Sequence, residues 1–347
     1  MTERTERSEG HETVVALLGA WALDACSSAE EELVEIHLST CPACAREARE
    51  LREAAAGLSG AYLRPPAGSL ARLLAAAQSR RRPATAAPAY AAPYAAQVAA
   101  LDLLLSDLAP EDWQRTVAHG ELTVRDMLAH LAATDGLVAA GLGLPVQPPV
   151  EPGVKLAART ATVLRFERGR PAEQIRRSWR AQADAVCRSL MGHPSPGTET
   201  VSLGRPLPLP DALAARAFET WIHREDIAAA TRRPAVAPLP EHVHPLADLA
   251  ARVLPRVLSR RIAPPHDRYV QLHLTGAGGG TWTVPLDPGM SVAAPVRPAV
   301  AVALDVVEFC RLAGDRRDPG RIAVEVRGDA TLAREFLAAV PTMAPVP

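Results

Sequence analysis

His37, Cys41 and Cys44 stand in the order H-x3-C-x2-C, and an earlier histidine, His11, shares a helical face with Val14, Leu18 and Trp21. No hydrophobic pattern constrains the first fifty residues as strongly. If the helix containing His37 runs to about residue 41, His37 and Cys41 lie one turn apart on one face. Cys44, at the start of the next helix, can close on the same point. Amides at a helix N-terminus favour a thiolate, the form that binds a metal. Tetrahedral zinc needs four donors, and His11 supplies the fourth from the interior side of the first helix. The competing use of C-x2-C is a thioredoxin-like redox pair, but no βαβ pattern surrounds this one.

The helices that carry these residues can be read from periodicity and caps. Residues 10–25 are amphipathic through Val14, Leu17, Leu18 and Trp21. Ser28 and Glu31 have capping-box spacing for a second helix to about Leu38, and Cys41-Pro42 opens a third through REARELREAAAG. After Pro65-Pro66 comes a fourth amphipathic stretch, Leu70, Leu73, Leu74 and Ala77. Residues 83–93, PATAAPAYAAP, have little to bury and mark a connector, so 1–82 is expected to be a domain.

Four longer helical signals follow, at about 94–108, 123–141, 171–190 and 211–231, with Thr123 and Asp126 as a cap pair. They predict a four-helix bundle over 94–235. Glu219 and His223 are spaced i, i+4 on its last helix, and His130 sits in the second. Three N/O donors on facing helices make an open site for zinc or another divalent ion, with one position left to water or substrate. Spacing alone fits a solvent-facing ion pair as well. Asp226, near His223, offers a partner to its imidazole.

The tail, 236–347, changes character. Tyr269–Leu274 and Thr281–Val284 alternate like half-buried strands around the run from Gly276 to Gly280, which reads as a hairpin turn and not a phosphate loop. A strand at 298–303, a helix at 304–313, a strand at 321–327 and a helix at 330–340 complete an α+β module. The chain is therefore expected to be mainly α with a C-terminal α+β module. His242 and His244 read as part of a Pro-rich loop, and His119, His193, His266 and His273 have no partner at ligand spacing. Cys187 and Cys310 read as inert core thiols.

Composition excludes several classes of function. Lys plus Arg number 38 and Asp plus Glu 39, a net charge of −1, which argues against a protein held on nucleic acid by phosphate neutralisation. Five cysteines in 347 residues are no disulfide framework. No apolar run has the length of a membrane span, and MTERTERSEG is too polar for a signal peptide. A cytoplasmic protein is expected.

Residues 10–82 resemble the zinc-containing anti-sigma domain of bacterial anti-sigma factors, through H-x3-C-x2-C, the upstream histidine and the segment PPAGSLARLLAAAQ. The resemblance implies three helices pinned around zinc and a fourth lying apart. Together they would clamp an extracytoplasmic-function sigma factor, with Leu70, Leu73 and Leu74 facing the partner. Redox-sensing members place a cysteine where this chain has His11, so their disulfide cannot form here. Cys26 substitutes only if the fold brings it close, and the zinc is expected to be structural.

The stretches ELTVRDMLAHLAATDGLV and AFETWIHREDIAAATRRP resemble the signature regions of the mycothiol-dependent maleylpyruvate isomerase family, and VEVRGDATLAREFLAAVPTM resembles its C-terminal α+β domain. The likeness covers about 94–345. It implies a DinB-like bundle holding a metal through His130, Glu219 and His223, a low-molecular-weight thiol such as mycothiol as cosubstrate, and a sterol-carrier-related tail. Arg316 and Arg317, in LAGDRRDPGR, depart from the family's Gly-Arg pattern and are not carried over. The combined expectation is a zinc-binding anti-sigma factor regulated by a metal-binding, thiol-responsive domain. The alternative is a mycothiol-dependent isomerase or thiol transferase with an accessory zinc domain. Direct DNA binding has the wrong ligand pattern for a C2H2 finger.

Overall fold

The computed structural model describes residues 2–59, 70, 73, 83–117, 122–193, 197–262, 268–289 and 298–344. The chain divides into two compact units, Met1–Arg80 and Arg81–Pro347.

The first unit contains α1 (Thr2–Ala22), α2 (Ser28–Thr40) and α3 (Pro42–Ser59). The cap of α2 is Ser27, one residue earlier than expected. Its amide and hydroxyl both donate to Glu30 Oε2, at 2.8 and 2.7 Å. Two overlapping S-x-x-E registers exist in the sequence, and the earlier serine takes the cap. Extended Cys41 ends α2, and Pro42 restarts the chain at a position where an amide proton is not needed. Among the described residues the fully buried core is small: Val14, Leu18, Val34, Cys44 and Ala48. A core of that size rarely holds a fold without a staple. Leu70 and Leu73 are helical and exposed, and Leu74 lies outside the described residues.

The second unit opens with the Ala/Pro-rich segment, which is bound rather than free. Buried Arg180 donates to the Pro83 carbonyl (2.7 Å), Thr85 Oγ1 to Asp184 (2.6 Å), and the Tyr90 hydroxyl to the His193 carbonyl (2.9 Å). The bundle consists of α4 (Ala92–Ser106), α5 (Val124–Gly141), α7 (Ala172–Leu190) and α8 (Leu209–Ala230). Thr123 and Asp126 form the expected capping box on α5. Helix α4 packs on α8, and α5 packs on α7.

Two helices were not expected. Helix α6 (Leu156–Glu167) turns Arg159, Val163 and Glu167 inward, so two of the three residues on its buried stripe are charged and give no hydrophobic signal. Helix α9 (Pro240–Arg261) contains Pro245 and Pro255, and it places His242 and His244 on a helix instead of a loop. Each interior proline costs about 3 kcal/mol. Burial of Val243, Leu246, Ala247, Ala250, Ala251, Leu254 and Leu258 at helical spacing offsets that cost.

Strands β1 (Thr200–Ser202) and β2 (Pro206–Pro208) form a short ribbon before α8. The C-terminal sheet has the order β4-β3-β5-β6, from β3 (Tyr269–Thr275), β4 (Gly280–Pro285), β5 (Val300–Asp305) and β6 (Glu325–Gly328). Strand β3 is antiparallel to β4, in register Leu272↔Trp282, and parallel to β5. The glycine run is the β3–β4 turn, with Gly276 at φ 88° and Gly278 at φ 87°, where side chains are strained. Val270, Leu272 and Leu274 pack inward with Val300, Val302 and Leu304, towards α10 (Val306–Ala313) and α11 (Ala330–Ala339). One continuous apolar core runs through the bundle and this module.

Two candidate metal centres

Among the described residues, two groups bring three or more ligand-type atoms within 4.8 Å of one another: His11, His37, Cys41 and Cys44, and His130, Glu219 and His223.

In the first group α1 supplies His11, the last turn of α2 supplies His37, and the α2–α3 junction supplies both cysteines. His11 Nδ1 lies 3.1 Å from His37 Nε2 and 3.6 Å from Cys44 Sγ. Tetrahedral zinc, with Zn–N near 2.0–2.1 Å and Zn–S near 2.3 Å, sets edges of about 3.3 Å (N–N) and 3.6 Å (N–S). The donor set and spacing fit zinc. Amides of Cys44 and Ala43, at the start of α3, pull the Cys41 thiol below its ordinary value, while burial pushes the Cys44 thiol up. Cys26 is not in the group; its thiol faces the Leu17 carbonyl at 3.9 Å.

In the second group α5 supplies His130 and α8 supplies Glu219 and His223, one turn apart. His130 Nε2 is 2.7 Å and His223 Nε2 4.0 Å from Glu219 Oε1. His223 Nδ1 lies 3.1 Å from Asp226 Oδ2. A carboxylate only accepts, so Nδ1 carries a proton, and Nε2 is the nitrogen that a neutral ring would offer to a metal. His130 likewise has an outer partner, Thr160 Oγ1 of α6, at 3.3 Å from Nδ1. Each imidazole thus has one nitrogen held from behind and the other aimed at Glu219, as metal-bound histidines do.

Glu219 is fixed by residues that sequence reasoning missed. Trp179 Nε1 donates to Asp135 at 2.9 Å, and Arg216 Nε donates to the other Asp135 oxygen at 2.8 Å. Arg216 also donates to Glu219 Oε2. Burial by itself would raise the Glu219 carboxyl; the Arg216 charge and the hydrogen bond from His130 outweigh it and keep the group ionised. One oxygen is therefore occupied by Arg216, and the other faces the histidines. Three N/O donors with a free position can hold a divalent ion and leave it open to a ligand. The i−3 spacing of Arg216 to Glu219 was the available signal, but ordinary surface pairs have it too.

Asp226 occupies the place expected beside His223, and Arg316, left out on sequence grounds, binds it through two hydrogen bonds of 2.6 Å. Three of the remaining histidines make local contacts. His244 lies against Trp282, with ring centroids 5.6 Å apart, and His273 Nδ1 meets Thr281 Oγ1 at 2.8 Å. His193 lies 4.0 Å from Glu199. His119 and His266 are outside the described residues. Cys187 and Cys310 are buried, and burial pushes the Cys187 thiol up to about 12 and the Cys310 thiol up as well.

Residues 12–45 match the family model described as "Putative zinc-finger", and residues 94–228 match that of the mycothiol maleylpyruvate isomerase N-terminal domain. The two matches are separate, a zinc-finger-like segment near the start and a longer stretch similar to the isomerase N-terminal domain. Two crystal structures of the mycothiol-dependent maleylpyruvate isomerase, one of a histidine-to-alanine mutant, are similar at 18% identity. The mutant has a TM-score of 0.45 over 68% of this chain and 91% of its own, and the other a TM-score of 0.44 over 66% and 88%. No curated protein matches the chain.

Proposed function

We propose that the chain is a zinc-binding anti-sigma factor that sequesters an extracytoplasmic-function sigma factor in the cytoplasm and is regulated by its metal-binding second unit. The observation that carries this reading is the convergence of His11, His37, Cys41 and Cys44 in a unit whose described residues include only five fully buried apolar side chains. Zinc bound there would stabilise folding directly, since such sites contribute about 10–16 kcal/mol at neutral pH. Aliphatic side chains are left facing solvent, Leu33 and Ile36 on α2 and Leu70 and Leu73 beyond α3. Apolar surface left outside on a small unit suits a protein partner.

The second unit supplies the sensor. A divalent ion held by His130, Glu219 and His223 would keep an open position, where it lowers the pKa of a bound water or thiol. A cleft of about 1100 Å³ lies over the open face of the C-terminal sheet, with Arg316 and Arg317 in its wall. It offers room for a small thiol such as mycothiol, or for an electrophile. Regulation then requires that this ligand bind the sigma-bound and free states with different affinity.

The test is affinity for the extracytoplasmic-function sigma factors of the source organism. One of them should form a stable complex with the wild type and lose it with Cys41→Ser/Cys44→Ser. No complex with any of them, together with thiol-dependent turnover that vanishes in His223→Ala, would establish the enzyme instead.

A further inference from the structure

We infer that Arg316 is a positioning residue for the bundle metal, through which the C-terminal module holds His223 in its ligating orientation. The inference rests on reading His130, Glu219 and His223 as metal ligands. Asp226, buried one turn beyond His223 on α8, is shared between two donors. Arg316 grips it with Nε on one oxygen and a terminal nitrogen on the other, both at 2.6 Å, and His223 Nδ1 reaches that second oxygen at 3.1 Å. A bidentate guanidinium fixes the plane of the carboxylate, and the carboxylate fixes the imidazole that binds it.

The turn that delivers Arg316 is seated on the same helix. Asp315 takes a left-handed conformation, φ 58°, directly after α10. A Cβ on Gly314 would fall 2.9 Å from Ile222 Cδ1 and Cγ1, so the turn lies against the residue preceding His223 and a larger residue would have to displace that side chain. Arg316 Nη1 donates back to the Gly314 carbonyl at 2.7 Å, closing the turn. A second arginine of the module, Arg311, grips Glu225 on the neighbouring position of α8, at 2.9 and 3.0 Å. Arg311 attaches the module without touching a ligand's partner, and this separates attachment from positioning.

Charge and orientation predict opposite signs. Removing a cation near a metal ion should tighten the ion's binding, since like charges repel. Releasing Asp226 should weaken it, because loss of such outer partners costs about 10–100-fold in metal affinity. The full chain is titrated with a competing zinc chelator, and retained zinc is counted per chain. The bundle ion is the one that His223→Ala lacks. Arg316→Met should lose that ion at about 10–100-fold lower chelator activity, while Arg311→Met should stay within about threefold of the wild type. Arg316→Lys, which keeps the charge but not the fork, should fall between, and it replaces Arg316→Met if that variant does not fold. An unchanged or tighter bundle ion in Arg316→Met, or an equal loss in Arg311→Met, overturns the positioning role. A wild type with no ion sensitive to His223→Ala overturns the metal reading itself.

Discussion

His11 Nδ1 stands 3.1 Å from His37 Nε2 although 26 residues separate them in the chain. Among the described residues, the fully buried aliphatics of α1 and α2 are Val14, Leu18 and Val34, with Leu17, Trp21 and Leu38 partly buried against them. Two neutral imidazoles gain at most one hydrogen bond from such a contact, whereas a shared metal gives it a cause.

Zinc removal should therefore unfold the first unit selectively. Circular dichroism of the full chain should show helix lost on chelation and regained when zinc is restored. The second unit, with its own continuous core, should keep a separate thermal transition. Cys44→Ser should reproduce the chelated state, and a first unit that stays helical without metal would rule out the staple.

Cysteine reactivity should sort by environment. At pH 8 a thiol of pKa about 12 is ionised in only about one molecule in ten thousand, so buried Cys187, with Cys310, should resist iodoacetamide in the folded chain. Cys41 and Cys44 should react only after chelation, and Cys26 slowly throughout. Peroxide should not yield a disulfide between Cys26 and either of them, as peptide mapping would reveal. Rapid native labelling of Cys187 would contradict the packing of α7.

Arg216 lies at the centre of a buried ionic line from Asp135 to Glu219, with its side chain 1% exposed and that of Asp135 0%. Removing one member leaves a charge buried without its partner, which costs about 3–5 kcal/mol. Arg216→Met should lower the second unit's stability by that amount in urea denaturation and release its bundle ion. A loss under about 1 kcal/mol would mean the line is open to water.

Acid should loosen the sheet module. Burial pushes the Asp248 carboxyl up, but hydrogen bonds from Trp282 Nε1 (3.0 Å) and Arg252 Nε (2.8 Å) outweigh it and hold it below the usual range. A group depressed on folding stabilises above its unfolded pKa, near 3.9, and that stability is lost as pH falls through the folded value. Asp248→Asn should thus be less stable than the wild type at pH 7, with the gap closing towards pH 3. A gap independent of pH would exclude this linkage.

The grouping of His11, His37, Cys41 and Cys44 was legible in the sequence, because H-x3-C-x2-C spacing and a histidine on an apolar stripe are local signals. The bundle triad was legible in part, since Glu219 and His223 share a helix but His130 is 89 residues away from Glu219. The supports of that triad were not legible. Thr160 lies on α6, whose buried stripe is mostly charged, and Asp135 with Arg216 form a pair that only the bundle's packing brings together. Arg316 reaches Asp226 across 90 residues by way of a left-handed turn, and spacing rules cannot anticipate such a contact. Helix α9 was hidden by its prolines, although its apolar period from Val243 to Leu258 was present throughout.

Metal analysis of the full chain, combined with X-ray absorption at the zinc edge, bears most directly on the two-centre account. The expected result is two ions per chain, one bound by two sulfurs and two nitrogens and the other by nitrogen and oxygen alone. Cys41→Ser/Cys44→Ser should remove the first and His223→Ala the second. A single ion per chain, or a first ion without sulfur ligands, would contradict it.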